Sequence, residues 1–202
     1  RGLGDVYKRQ ITGSPFTNPD LLNPGTHSMV IYNRAEGFTF DGRMARVNAP
    51  DGKSRADGAS VIPLPDYLKT VSQEITVTAD DTLRVNPVPQ QRVRDLQLEL
   101  EVTQGRPELI QSVTATLSGI AGIFDMEKGQ TIGEPTSTVF SFTRDGSKLT
   151  ADARLLGTMG DVQALVLDIV FTDGGRTQRT EVDLTEALSL IHISEPTRLQ
   201  LI

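Results

Sequence analysis

Apolar and polar residues alternate along most of the second half of the chain. In residues 95–103 every second residue from Leu96 to Val102 is apolar, and the residues between them are polar. Successive side chains of a β-strand point to opposite faces, so this period predicts a strand with one buried and one hydrated face. Residues 112–118 and 149–155 show the same period and predict two further strands.

Short turns separate these strands from three others. Asp145 and Gly146 follow the apolar run 139–142 and predict a hairpin. Residues 162–171 are apolar on both faces, which is typical of a strand inside a sheet. A glycine-rich turn then leads to an alternating strand at 180–184. Six strands in roughly 95 residues have the spacing of a β-sandwich.

The first half is less regular, but it also has the composition of β-structure. Residues 28–32, 37–40 and 74–79 predict strands, whereas residues 43–60 are polar and predict an exposed loop. No pattern predicts a long helix.

Two prolines, Pro87 and Pro89, mark a boundary between these halves. Proline cannot donate to a sheet ladder, so residues 86–92 are interpreted as a linker. The sequence therefore predicts an all-β chain of two tandem β-sandwich domains. The first, at 11–85, is partial, and the second spans 93–187.

The two ends of the chain are related through their codons. One choice of codons for residues 1–10 gives, on the complementary strand, the sequence of residues 188–197 letter for letter. A transposon-based sequencing library places one adapter in inverted orientation at both ends of an insert, whereas unrelated protein segments have no reason to show this symmetry. We therefore interpret 1–10 and 188–202 as translated adapter and expect the natural segment to be 11–187, with its first domain truncated.

The charge of the natural segment excludes one class of partner. Residues 11–187 hold 16 Lys and Arg against 24 Asp and Glu, a net charge of −8. No basic stripe is present to neutralise phosphates, so no nucleic acid is expected as a partner. No apolar run approaches the ~20 residues that span a bilayer.

No group of residues has the pattern of a catalytic, cofactor or metal site. Nucleophilic catalysis needs a nucleophile beside a base, yet the natural segment has one histidine, His27, and no cysteine. His27 follows a Pro–Gly pair, where a solvated loop residue is expected. Asp80 and Asp81 indicate a turn, because neighbours on a strand face opposite sides. We therefore expect no enzyme activity, with no catalytic, cofactor-binding or metal-binding residues and no cofactor.

Several segments resemble the fimbrial anchoring-subunit and fimbrillin-like lipoproteins of Gram-negative anaerobes. Residues 24–33 are similar to that family's proline–glycine pair followed by a strand ending in Tyr–Asn. Residues 115–122, ATLSGIAG, are similar to its Ala-Thr-Leu-Ser-Gly-Val-Ala-Gly segment and precede an acidic loop at 125–129. The order of the later strands and turns also matches, so the resemblance spans most of 24–187.

The resemblance implies tandem transthyretin-like β-sandwich domains on an outer-membrane lipoprotein at the cell surface. Such a protein acts as anchor, cap or building block of a fimbrium. Its implied partners are other fimbrial subunits, joined by strand addition. Membrane association is implied only through a lipid anchor outside this sequence. Related fibre subunits assemble after cleavage at an arginine, for which Arg43, Arg46 and Arg55 are candidates.

Two other interpretations stay open. β-Sandwiches also serve as carbohydrate-binding modules, which need an exposed aromatic platform. Tyr67 and Phe124 are the best candidates, although a place in the core is the favoured interpretation of each. The chain is alternatively an accessory module whose catalytic partner lies outside this sequence.

Overall fold

The computed structural model describes residues 8–13, 15–19, 21–49, 60–79 and 81–189, and the backbone of 197–201. Within these ranges the chain forms fourteen strands, one short helix (α1, Thr185–Ser189) and a 3-10 turn at Pro107–Leu109. The all-β class predicted from the sequence is confirmed. The strands are β1 Gly25–Tyr32, β2 Phe38–Asp41, β3 Met44–Val47, β4 Lys69–Val77, β5 Gln90–Gln91, β6 Arg94–Glu101, β7 Ile110–Ile120, β8 Ile123–Asp125, β9 Gln130–Ile132, β10 Thr136–Asp145, β11 Lys148–Leu155, β12 Ala164–Phe171, β13 Thr177–Asp183 and β14 Thr197–Leu201.

The largest sheet has seven strands in the order β13-β12-β7-β10-β11-β6-β14. Neighbours are antiparallel except for β14, which runs parallel to β6. The six strands predicted in the second half all belong to this sheet. β12 lies between β7 and β13, which confirms that the doubly apolar run is an internal strand.

Two smaller sheets complete the fold, in the orders β2-β3-β8-β9 and β1-β4-β5. The predicted loop at 43–60 is wrong for its first residues, because β3 pairs with both β2 and β8. Gly42, at φ 59°, closes the tight turn before β3, and Ala45 and Val47 are buried. Residues 50–59 lie outside the described residues.

One local prediction also needs correction. His27 lies within β1 rather than in a loop, and its Nε2 donates to the carbonyl oxygen of Asn23 at 2.7 Å. The predicted linker at 86–92 ends in a short strand, because Gln90 and Gln91 pair with the start of β4.

One hydrophobic core cluster contains residues from both sides of the predicted linker. Phe38, Ala45 and Leu68 belong to the same buried cluster as Leu98 and Leu117. The four-stranded sheet is likewise shared, since β2 and β3 precede the linker and β8 and β9 follow it. The division into two domains stays a prediction, and the two segments are described together.

A carboxylate joins the two smaller sheets at the surface. Glu127, in the turn between β8 and β9, accepts hydrogen bonds from the Ser28 hydroxyl at 3.0 Å and from the Arg43 guanidinium. Ser28 is in β1, and Arg43 is in the turn between β2 and β3. This contact fixes the β8–β9 turn against the rest of the small sheets.

In the part of the chain that the structure describes, no helix has the length and apolar character to cross a membrane.

Candidate functional site

β6 pairs on one edge with β11 and on the other with β14. Its Leu96, Leu98 and Leu100 point from one face of the sheet into the core and are 1%, 0% and 9% exposed. On the opposite face the Glu99 carboxylate accepts a hydrogen bond from Lys148 Nζ at 3.0 Å and is only 11% exposed. An edge strand leaves a row of backbone N–H and C=O groups unpaired, whereas β6 is an internal strand of the sheet because β14 pairs with it.

β14 occupies this edge along five consecutive residues. Its register places Thr197 opposite Leu96 and Leu201 opposite Leu100, with the two strands parallel. The backbone groups of β6 that point away from β11 therefore accept an added strand.

The opposite edge of the sheet, β13, has a different character. Its side chains are almost all exposed, and Arg179, Glu181 and Asp183 place charges along it. Arg179 Nη1 also lies 3.6 Å from Asp168 Oδ1 on β12. Charged side chains on an edge strand oppose the pairing of a further strand. The two edges of the large sheet thus differ in pairing: β6 carries β14, whereas β13 has no further strand beside it among the described residues.

A cleft of about 240 Å³ opens where the three sheets meet. Arg92 and Arg94 line it from the segment that enters β6, and Gln130 and Thr131 line it from β9. The turn after β11, at 156–158, forms a further wall. No carboxylate is among the described residues that line the cleft.

Arg92 is held in the cleft by three contacts. Its guanidinium carbon lies 5.4 Å from the centroid of the Phe124 ring, an attractive cation–π arrangement. Its Nε donates to the Thr70 hydroxyl at 2.8 Å, and Nη2 lies 3.5 Å from the Thr70 carbonyl oxygen. Thr70 is fully buried, so it is a fixed acceptor for the arginine.

Burial acts on both arginines of the cleft. Partial removal from water lowers the pKa of Arg92 and the pKa of Arg94 from the ordinary arginine value. Both remain charged at physiological pH, because an arginine pKa lies far above 7. The cleft therefore holds positive charge at reduced hydration within a chain of net charge −6.

The two aromatic candidates for a sugar platform each lie under a guanidinium. Phe124 is 4% exposed and belongs to the core, as the favoured interpretation of the sequence held. Tyr67 is 38% exposed and so is not a core residue, but the Arg154 guanidinium lies 5.3 Å from its ring centroid. Arg154 in turn pairs with Asp66 at 3.1 Å. A guanidinium lies over each ring.

The Tyr67 hydroxyl is also engaged. It donates to Asp95 Oδ1 at 2.7 Å. This hydrogen bond is the main cause that raises the pKa of Tyr67 above its ordinary value, and burial is the second cause. The residue is therefore part of a surface network that links the segment before β4 to β6 and β11.

The candidate cleavage arginines do not share a loop. Arg43 lies in the turn between β2 and β3 and binds Glu127, while Arg46 lies inside β3. Arg55 lies outside the described residues. Asp80, which the sequence places in a turn with Asp81, also lies outside them. The structure thus places two of the three arginines on ordered hairpin structure.

Among the described residues, no three His, Asp or Glu side chains are grouped so that they could hold a metal ion. Sequence reasoning missed Arg92 and Arg94, because they lie on either side of the boundary between the stretch interpreted as linker and the second predicted domain. Their spacing by two residues around the buried Val93 was the available signal, since it places both side chains on one face of an extended segment.

Comparison with known proteins gives similarity at the level of structure. No protein-family model matches the chain, and no curated protein matches its sequence. A candidate adhesin from Bacteroides ovatus ATCC 8483 matches with a TM-score of 0.70 and 17% identity over 90% of this chain and 72% of the other. The fimbrial anchor protein Mfa2 from Porphyromonas gingivalis matches with a TM-score of 0.55 and 12% identity over 89% and 68%.

A second candidate adhesin from Bacteroides ovatus matches with a TM-score of 0.55 and 11% identity, over 89% of this chain and 67% of the other. At these identities the likeness establishes the fold. The resemblance to fimbrial proteins that the sequence predicts is confirmed in that respect: the chain has the fold of a fimbrial anchor protein and of candidate adhesins.

Proposed function

We propose that this chain is a non-enzymatic structural subunit of the cell surface, an anchor or cap of a fimbrium held at the outer membrane by a lipid anchor. Its fold, shared with a fimbrial anchor protein and with candidate adhesins, supports this role. The observation that carries the proposal is the edge of β6 away from β11, which carries an added parallel strand, β14.

Strand addition is the proposed way in which the subunit joins its partner. An added strand gains backbone hydrogen bonds along the edge, while pockets for alternate side chains give selectivity. If residues 188–202 are translated adapter, β14 stands where a strand of the natural protein or of a neighbouring subunit would lie. A partner strand of at least five residues would then pair with residues 96–100 of β6.

The test opens this edge in the full chain. Replacing Arg198 and Leu199 together by proline removes two adjacent backbone donors of β14, so at least one ladder bond to β6 is lost. The matched control replaces the same two residues by alanine, which keeps both donors. Each protein is mixed with dissociated fimbrial subunits of Bacteroides ovatus. The mixture is cross-linked chemically at Lys148, and the products are then separated by size-exclusion chromatography.

We expect the proline variant to capture a fimbrial subunit at least tenfold better than the alanine control. Cross-links should map to Lys148, which lies opposite Glu101 at the end of β6. If neither variant captures any subunit, and a glycan array shows binding that Tyr67→Ala abolishes, the structural role is wrong and a carbohydrate-binding module replaces it.

A further inference from the structure

We propose that the cleft between β5, β9 and the turn after β11 binds an acidic sugar residue, such as a uronic acid, through its carboxylate, with Arg92 as the principal anchor. This site is independent of strand addition at β6. It would make the subunit adhesive as well as structural.

The first argument is the donor capacity of Arg92. A guanidinium carries five N–H donors in a planar fork that matches a carboxylate. In the described part of the chain, Arg92 uses Nε on the Thr70 hydroxyl and makes one long contact from Nη2, so the donors of Nη1 remain available to a ligand. The stacking of Arg92 on Phe124 and its bond to the buried Thr70 hold the fork in place before a ligand arrives.

The second argument is electrostatic. A partly desolvated guanidinium lacks part of the hydration that stabilises its charge, and an anion restores that stabilisation. Arg94 adds a second positive charge at the same wall of the cleft, whatever else it contacts. A ligand carboxylate entering here meets two arginines and, among the described lining residues, no carboxylate.

The third argument is the size and lining of the cleft. Pockets for drug-sized ligands hold about 300–1,000 Å³, so a volume of about 240 Å³ suits a single ring rather than an oligosaccharide. Besides the arginines, the polar side chains of Gln91, Gln130, Thr131 and Thr158 line it. Neutral amides and hydroxyls match sugar hydroxyls, whereas an inorganic anion would leave them without partners.

In the test, the full chain is titrated with glucuronate. Isothermal titration calorimetry and the chemical shifts of the backbone amides measure binding. Glucose, acetate and inorganic phosphate serve as the three comparison ligands, since each shares only part of the chemistry of glucuronate. We expect a dissociation constant of the order of 1 mM for glucuronate. The amide signals of Gln130 and Thr131 should shift with glucuronate, and each comparison ligand should bind at least tenfold more weakly.

Substitution identifies the anchor. Arg92→Gln should weaken glucuronate binding about tenfold or more, because a charge-assisted hydrogen bond is lost. Arg106→Gln is the matched control, since it removes the same charge from an exposed position, and it should leave binding unchanged. If Arg92→Gln fails to fold, the shifts of the unmodified chain decide alone.

Three results would overturn the proposal. Glucuronate and glucose could bind equally, phosphate or acetate could bind as tightly as glucuronate, or no cleft amide could shift with glucuronate. Unchanged affinity in a folded Arg92→Gln chain would exclude Arg92 as the anchor and would have the same consequence.

Discussion

Gly119 interrupts the pairing of β7 with β10. Thr136 is opposite Ile120, but the next residue, Ser137, is opposite Ser118, so Gly119 is an extra residue in β7 and forms a bulge. Its φ is 71°, and a Cβ at this position would collide with the Val162 carbonyl oxygen. The glycine of the ATLSG segment is therefore required by backbone geometry.

This geometry predicts that Gly119→Ala lowers the free energy of unfolding by at least about 2 kcal/mol, since a left-handed backbone and a steric conflict act together. Gly146→Ala is the matched control. It has φ 60° in the β10–β11 turn, but no atom lies within 4 Å of the position that its Cβ would take. We expect it to cost only about 1 kcal/mol. Urea denaturation of both variants measures the difference, and equal losses would show that the contact with Val162 relaxes freely.

Single residues were predictable where the local pattern decided their environment. Phe124 was correctly favoured as a core residue, because most Phe and Tyr residues of the sequence fall on apolar strand faces. The environments of Tyr67 and Arg92 depend on partners far along the chain, namely Asp95 and Arg154 for the tyrosine and Phe124 for the arginine. No local period encodes such contacts, so the cleft could not be located from the sequence.

The β13 strand allows a prediction at the scale of one element. Two backbone hydrogen bonds at the ends of the β12–β13 ladder show which residues of β13 are hydrogen-bonded to β12. They run from Leu184 N to Gln163 O and from Phe171 N to Arg176 O. In an antiparallel ladder these pairs alternate, so Thr180 points its N–H at β12 and Glu181 points its N–H at the open edge.

Glu181→Pro should therefore cost less than about 1 kcal/mol, whereas Thr180→Pro should cost about 3 kcal/mol or more. The midpoints of urea unfolding of the two variants provide the measurement. Similar losses in both variants would mean that β13 does not have an open edge.

The end of β13 adds a prediction about pH. The Asp183 carboxylate accepts hydrogen bonds from the Thr185 hydroxyl and from the Thr185 backbone N–H, which lower the pKa of Asp183 below 3.8. A lowered folded pKa gives stability that is present above the unfolded pKa and is lost as pH falls through the folded pKa. Asp183→Asn should thus flatten the loss of stability below about pH 4. An Asp183 pKa at or above 3.8 in a carbon-detected NMR titration would contradict this.

The long strands of the large sheet were predictable, whereas most of the short strands were not. The strands of the large sheet have seven residues or more, apart from β14, and either a period of two or an apolar run marks them in the sequence. The strands β3, β8 and β9 have only three or four residues and were placed in loops or missed. β8 pairs with β9 nearby, but it also pairs with β3 across about eighty residues of sequence, a contact that no local pattern records.

At the scale of the whole molecule, the position of the boundary at 86–92 decides how the chain unfolds. Two tandem domains would unfold separately. If the two halves share the sheet β2-β3-β8-β9 and one core cluster, unfolding of one half exposes the apolar surface of the other. The cleft also draws on both halves, because its Arg92 is held by Thr70 of β4 and by Phe124 of β8.

The shared core predicts one unfolding transition for the described segments. Leu68 is fully buried and lies before the predicted linker, so Leu68→Ala should lower the free energy of unfolding by about 2–5 kcal/mol. The amides of Ala115 and Leu117 lie after the linker, in β7. If the molecule unfolds cooperatively, their free energy of protection against hydrogen exchange should fall by the same amount. Hydrogen exchange measured by NMR gives both quantities. Two calorimetric transitions, with protection in β7 unchanged by Leu68→Ala, would instead establish the two-domain division that the prolines predict.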